Sequence, residues 1–163
     1  MKIITIYIII LSFLYSKDDD WDETLMYSAY FSGIHVANAT LKSKRTITLE
    51  NQDILNIEFK AYSRSTIKYI FSINDIISID VDKESWQPIR VEKKLREGNY
   101  IHNSIAEFFL EKKLFIFNND TIPFSDPIMN PYSLIYFFRI KTLKPDTSFQ
   151  ISIVDNKKII PLK

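Results

Sequence analysis

Along much of residues 25–118 polarity alternates residue by residue, and this period of two restricts the fold more than any other feature. Leu25, Tyr27, Ala29 and Phe31 alternate with Met26, Ser28, Tyr30 and Ser32. Side chains that point alternately to opposite faces belong to a strand, because a helix would group its apolar positions every three or four residues. After a break or bulge at Gly33, His35, Ala37, Ala39 and Leu41 share one face, while Lys42, Lys44, Thr46 and Thr48 share the other. Beyond the turn cluster Glu50-Asn51-Gln52-Asp53, Leu55, Ile57, Phe59 and Ala61 alternate with Asn56, Glu58, Lys60 and Tyr62. Residues 77–82 form a short strand, Trp86-Gln87-Pro88 a break, and Ile89, Val91, Lys93 and Leu95 a further strand. Gly98-Asn99 and Glu111-Lys112-Lys113 are hairpin turns into residues 100–110 and 114–118. Strands joined by turns this short pair antiparallel. Residues 65–72 suit a helical turn as well as a strand.

One segment changes period. Asn130 can cap a helix that begins at Pro131, where the missing N–H costs nothing, and Leu134, Ile135 and Phe138 fall on one face. That face is expected to need an apolar cover. Arg139 lies near the helix C-terminus, where a cation is favoured, and Lys144-Pro145-Asp146 is a turn into a final strand over residues 149–154.

With 163 residues the chain has room for one domain and a real core. Only two glycines occur, so most turns must come from Asn, Asp and Pro clusters. The absence of cysteine excludes disulfides, thiolate catalysis, zinc–thiolate sites and a lipidated N-terminal cysteine. Lys plus Arg total 21 against 20 Asp plus Glu, a balance that steers the chain toward neither nucleic acid nor an anionic membrane.

The N-terminus reads as an export signal. Lys2 precedes the apolar run from Ile3 to Tyr15, and Ser16 offers a small residue for cleavage before the charged Lys17-Asp18-Asp19-Asp20. Thirteen residues fall short of the roughly 20 needed to span a bilayer. The expected organisation is a signal peptide over residues 1–16 and a single β-rich domain over residues 17–163. The mature protein is then periplasmic or secreted, in a Gram-negative-type envelope, without a stable membrane span.

The block Asn130-Pro131-Tyr132-Ser133-Leu134-Ile135-Tyr136-Phe137-Phe138-Arg139, followed by Leu143-Lys144-Pro145-Asp146, resembles a characteristic block of a bacterial exported-protein family, domain of unknown function 3108. The opening from Leu25 to Leu41 with Gly33-Ile34, the segment from Asp80 to Pro88, and the hairpin Glu97-Gly98-Asn99-Tyr100 match it in order. Two positions depart from the family pattern: Asn130 stands where Asp is usual and Asp146 where Gly is usual. Both still suit a cap and a turn. The resemblance also implies further strands beyond Lys163, so the domain is expected to lack its last strands.

No catalytic signature emerges. His35 and His102 are the only imidazoles and have no ligand-spaced partner; no metal or cofactor is expected. No G-x-S-x-G elbow, Walker loop or H-E-x-x-H occurs. Asp80 and Asp82, which share a strand face, are expected to be solvated carboxylates, and Lys42, Lys44 and Arg45 a solvated basic face. Ser133, Tyr136 and Arg139 recur every three residues along one helix side, a structural set or the polar mouth of a cavity.

The expected fold is therefore mainly β: a curved antiparallel sheet, open or barrel-like, under one short covering helix. The function expected first is non-enzymatic binding of a hydrophobic or lipid-like molecule, or of an envelope protein. Leu134, Phe138, Ser133, Tyr136 and Arg139 are its candidate ligand-binding residues. A hydrolase acting on envelope material and a purely structural role are the alternatives.

Overall fold

In the computed structural model, which describes residues 21–48, 51–125, 127–140 and 148–162, eight strands follow one another in an uninterrupted antiparallel meander. They are β1 (Glu23–Phe31), β2 (Ile34–Ile47), β3 (Asp53–Ser63), β4 (Asn74–Asp82), β5 (Pro88–Glu97), β6 (Tyr100–Phe109), β7 (Leu114–Phe117) and β8 (Asp120–Pro123). Their spatial order equals their chain order and the sheet does not close. A second sheet has the order β11-β10-β9, with β9 (Ile128–Met129) parallel to β10 (Ile151–Asp155) and β11 (Lys158–Leu162) antiparallel to it. The one helix among the described residues, α1 (Pro131–Ile140), lies between β9 and β10 in the chain, the helical crossover that two parallel strands require.

The alternation sorts the large sheet into a covered and an outer face, because residues paired across strands share a face. Ser43, Ile57, Ile79, Val91, Ala106 and Phe117 form one continuous row on the covered face. Leu25, Leu41, Phe59, Ile77, Lys93 and Ser104 form the next row. Leu41, Leu55, Ile57, Ile79, Val81 and Phe115 are essentially inaccessible. The outer face pairs charges instead: Lys60 with Glu58 at 2.7 Å, Lys94 with Glu92 at 2.7 Å, and Arg90 with Glu92 at 3.1 Å.

Turn chemistry follows the scarcity of glycine. Gly33 is not a bulge: with Ser32 at φ 48° and Gly33 at φ 79°, it completes a two-residue hairpin turn of the twist that suits strands, and the bulge lies at Ala29/Tyr30. Asn51, Asn118 and Asn156 take positive φ as asparagine readily does, but so do Trp86 and Lys113. For Trp86 the cost is offset by burial against Trp21, with ring centroids 5.5 Å apart. Residues 65–70 resolve as helical turns, with Lys68 N–H donating to Arg64 O and Phe71 N–H to Ile67 O. β4 begins at Asn74, before the expected residue 77, and the short strands β8, β9 and β11 were not expected from sequence. The N-terminal segment read as an export signal and the Lys144-Pro145-Asp146 turn lie outside the described residues.

The helix starts where its cap dictates. Asn130 Oδ1 accepts from Tyr132 N–H at 3.0 Å, and Asn130 O accepts from the N–H groups of Ser133 and Leu134. Its sheet-facing side differs from the expected Leu134, Ile135 and Phe138. Ser133, Tyr136 and Phe137 are buried, Leu134 is partly buried, and Ile135 and Phe138 are exposed. A serine can face the core because its hydroxyl donates to Asn130 O at 2.9 Å, which removes the penalty for burying it. Replacing Asn130 by Ala should lower stability by about 1 kcal/mol through loss of the cap, read as a lower melting temperature of an otherwise folded protein.

Candidate ligand-binding face

The covered face divides at Tyr132. Its ring packs at a tilt against Phe59 with centroids 4.9 Å apart, and from there α1 runs toward the end of the sheet where β1 begins and where the β2–β3 and β4–β5 connections lie. Tyr136 meets Trp21 at 6.3 Å and Phe137 meets Trp86 at 6.2 Å, so four aromatic rings close this end. Arg139 pairs with Glu23 at the start of β1, and its guanidinium lies 5.9 Å from the Tyr136 ring centre. The hydrogen bond that Arg139 donates to Glu23 raises the Arg139 pKa still further.

The block singled out in sequence is thus spent largely on packing. Ser133 completes the cap, Tyr136 is fully buried, and Leu134 packs against the core. Phe138 meets Phe137 and Phe149 edge-on. The small sheet is held in turn by Lys93 on β5, whose Nζ donates to Asp155 at 2.6 Å and to Asn156 at 3.1 Å. Between this latch, Ser104, Asn130 and Val154 a cavity of about 10 Å³ remains, room for about one water.

Among the described residues, the other half of the same face has no such cover. Tyr27, Ala39, Ala61 and Asp75 continue one row across β1 to β4, Leu95 and His102 pair on β5 and β6, and Ala29, Ala37 and Ser63 form the row beyond. Tyr27 and Ala29 are exposed, and Ala37, Ala39, Ala61, Leu95 and His102 are only partly buried. Four alanines give this half a shallow floor. Its sides carry the two histidines, each stacked on a tyrosine: Tyr30 on His35 at 4.9 Å and Tyr100 on His102 at 6.0 Å. His35 Nε2 is shared between Ala37 O and Asn38 Oδ1, whereas the buried His102 Nε2 has no partner among the described residues. Asp75, though buried, accepts from Arg96 N–H at 2.8 Å.

Elsewhere, a surface cleft of about 520 Å³ runs from Trp21 and Trp86 to Asp53, Asp82 and Glu84. Two of its carboxylates have work already: Arg45 donates twice to Asp53, which lowers the Asp53 pKa, and Asp82 Oδ1 accepts from Ser85 N–H and Oγ. Asp80 accepts from Asn56 at 2.6 Å on the outer face. Among the described residues, no three His, Asp or Glu side chains are placed to hold a metal, and no helix is long and apolar enough to cross a membrane. The signal for the open half was present in the sequence as the alanines at 29, 37, 39 and 61, but alanine marks a face only once the register is known.

A family model described as a protein of unknown function (DUF3108) matches residues 26–163, which include every element from β2 to β11. No curated protein and no solved structure matches the chain.

Burial raises the pKa of both Tyr136 and Tyr132, with Asp75 adding to the effect at Tyr132. A phenol held neutral in the fold but free to ionise when unfolded leaves stability whole below about pH 10 and erodes it as pH rises further. Spectrophotometric titration should therefore show two tyrosines ionising late, and Tyr136→Phe should remove one of them. Among the described residues the buried Tyr136 hydroxyl has no partner at hydrogen-bond distance, and Ser43 beside it donates to Trp21 O instead, so that variant should melt no lower than the parent.

Proposed function

The chain belongs to the DUF3108 family of proteins of unknown function, and from that premise we propose that it is a non-enzymatic binding protein of the cell envelope. Its ligand is a hydrophobic, lipid-like molecule held on the open half of the covered face. One observation carries this reading: the same sheet face that is closed by Tyr132, Tyr136 and Phe137 at one end continues into an uncovered alanine floor with aromatic sides at the other. Small residues there leave room above the sheet for a slender apolar chain. The flanking Tyr–His pairs supply the few polar contacts such sites use to orient a ligand. Tyr132 borders the inner end of that site, and the rest of the helix block, with Leu134, Phe138, Ser133, Tyr136 and Arg139, backs it from the closed end.

Displacement of a fluorescent fatty acid from the purified protein tests it. Saturable binding is expected, weakened at least about tenfold by Ala61→Trp or Ala39→Trp, which fill the floor, since about 1.4 kcal/mol of lost contact suffices. Lys60→Trp on the outer face should leave it unchanged. Absence of saturable displacement from folded protein would sink the proposal. Export is tested apart from binding: in a Gram-negative host the protein should be recovered from the periplasm with Lys17 or a near neighbour as its N-terminus, and a membrane-held chain retaining Met1 would refute cleavage.

A further inference from the structure

In an antiparallel meander every second connection returns to the same end. The β1–β2, β3–β4 and β5–β6 connections therefore share one rim, at the open end of the covered face. The three are tied together: Arg64 N–H donates to Val36 O, Gly98 N–H to Ser72 O at 2.7 Å, and Ile73 bridges to Glu97. A Cβ on Gly98 would stand 3.4 Å from the Phe71 ring, so this part of the rim is close-packed. Yet the rim presents Tyr30, Phe31, Ile34, Tyr69, Ile70, Phe71, Tyr100 and Ile101 to solvent, with Tyr69 96% and Ile70 82% exposed. One fully exposed tyrosine displays on the order of 150–200 Å², so these eight residues, each about half exposed or more, together pass the few hundred Å² that soluble surfaces rarely leave open.

Charge is uneven in the same place. The β3–β4 connection carries Arg64 and Lys68 and no carboxylate, while in the flanks of the rim Arg96 stands beside Glu97 and the buried Asp75; the chain as a whole is nearly neutral. Arg64 and Lys68 are exposed beside Tyr69 and Ile70. Tyrosines, aliphatic tips and cations on adjoining loops are the composition that settles at a bilayer interface: the apolar tips enter the headgroup boundary and the cations meet lipid phosphates. A protein interface would accept the aromatic residues equally well, but the concentration of cations around apolar tips favours a negatively charged lipid surface.

We propose that the rim formed by the β1–β2, β3–β4 and β5–β6 connections docks onto an anionic phospholipid bilayer, with Tyr69 and Ile70 inserted and Arg64 and Lys68 on the headgroups. The inference stands on the rim alone and does not require a ligand on the alanine floor.

The native chain has no cysteine, so Tyr69→Cys places a single polarity-sensitive fluorophore on the rim and Glu111→Cys places one at the opposite end. With vesicles of phosphatidylglycerol and phosphatidylcholine, the label at 69 should brighten and shift to the blue while the label at 111 stays as in water. In the labelled chain, Lys68→Ser should weaken this response about fivefold, and high salt should weaken it further. No change at 69 overturns the proposal even if the protein sediments with the vesicles through another segment. An equal change at 111 overturns it too. An equal response on pure phosphatidylcholine would overturn the choice of an anionic surface.

Discussion

A helix of ten residues is about 15 Å long, whereas strands such as β2 and β3 extend over about 35–45 Å. One apolar sheet face and one short cover are the constraint on which the rest of the molecule depends. The covered face cannot be closed along its whole length, so the chain concentrates its bulk at one end. Trp21, Trp86, Tyr136 and Phe137 gather there, the rows beneath them are Leu, Ile and Val, and almost nothing is accessible. Toward the other end the same rows shrink to alanine and the side chains emerge into solvent.

Position of the cover matters as much as its size. Asn130 caps α1 immediately after β9, and β9 pairs with β10, so the helix is anchored through a parallel strand pair of only two residues. The Lys93–Asp155 contact ties β10 to the large sheet with a lysine whose side chain is 14% exposed. Such a partly buried pair is screened less than a surface one. At the far end Arg139 closes onto Glu23. These polar ties orient the cover, while the aromatic contacts supply the larger share of its attachment, since each buried ring removes 150–250 Å² from water.

The half left open and the rim beyond it share a direction. A floor of alanines leads toward loops whose apolar tips are exposed. On the cleft and the outer face, Asp53, Asp80, Asp82, Glu58 and Glu92 are engaged by Arg45, Asn56, Ser85, Lys60, Lys94 and Arg90.

The sequence by itself determined β1 to β7 and β10, the antiparallel order of the large sheet and the helix start. Period-two alternation, short turns and an Asn-Pro cap are local signals, each decided by backbone sterics and nearest neighbours. It also carried the family, through the block from Asn130 to Arg139. Which face of that helix is buried was not legible, because Ser133 and Tyr136 look polar until a backbone carbonyl and an aromatic cluster are brought to them. The same holds for the candidate site and the rim. Ala39, Ala61 and Leu95 become one surface, and Tyr30, Tyr69 and Tyr100 one end, only through register and topology, which depend on pairing residues far apart in the chain. Tertiary structure alone decided them, because the free energy of covering a face belongs to the assembled sheet and to no single segment.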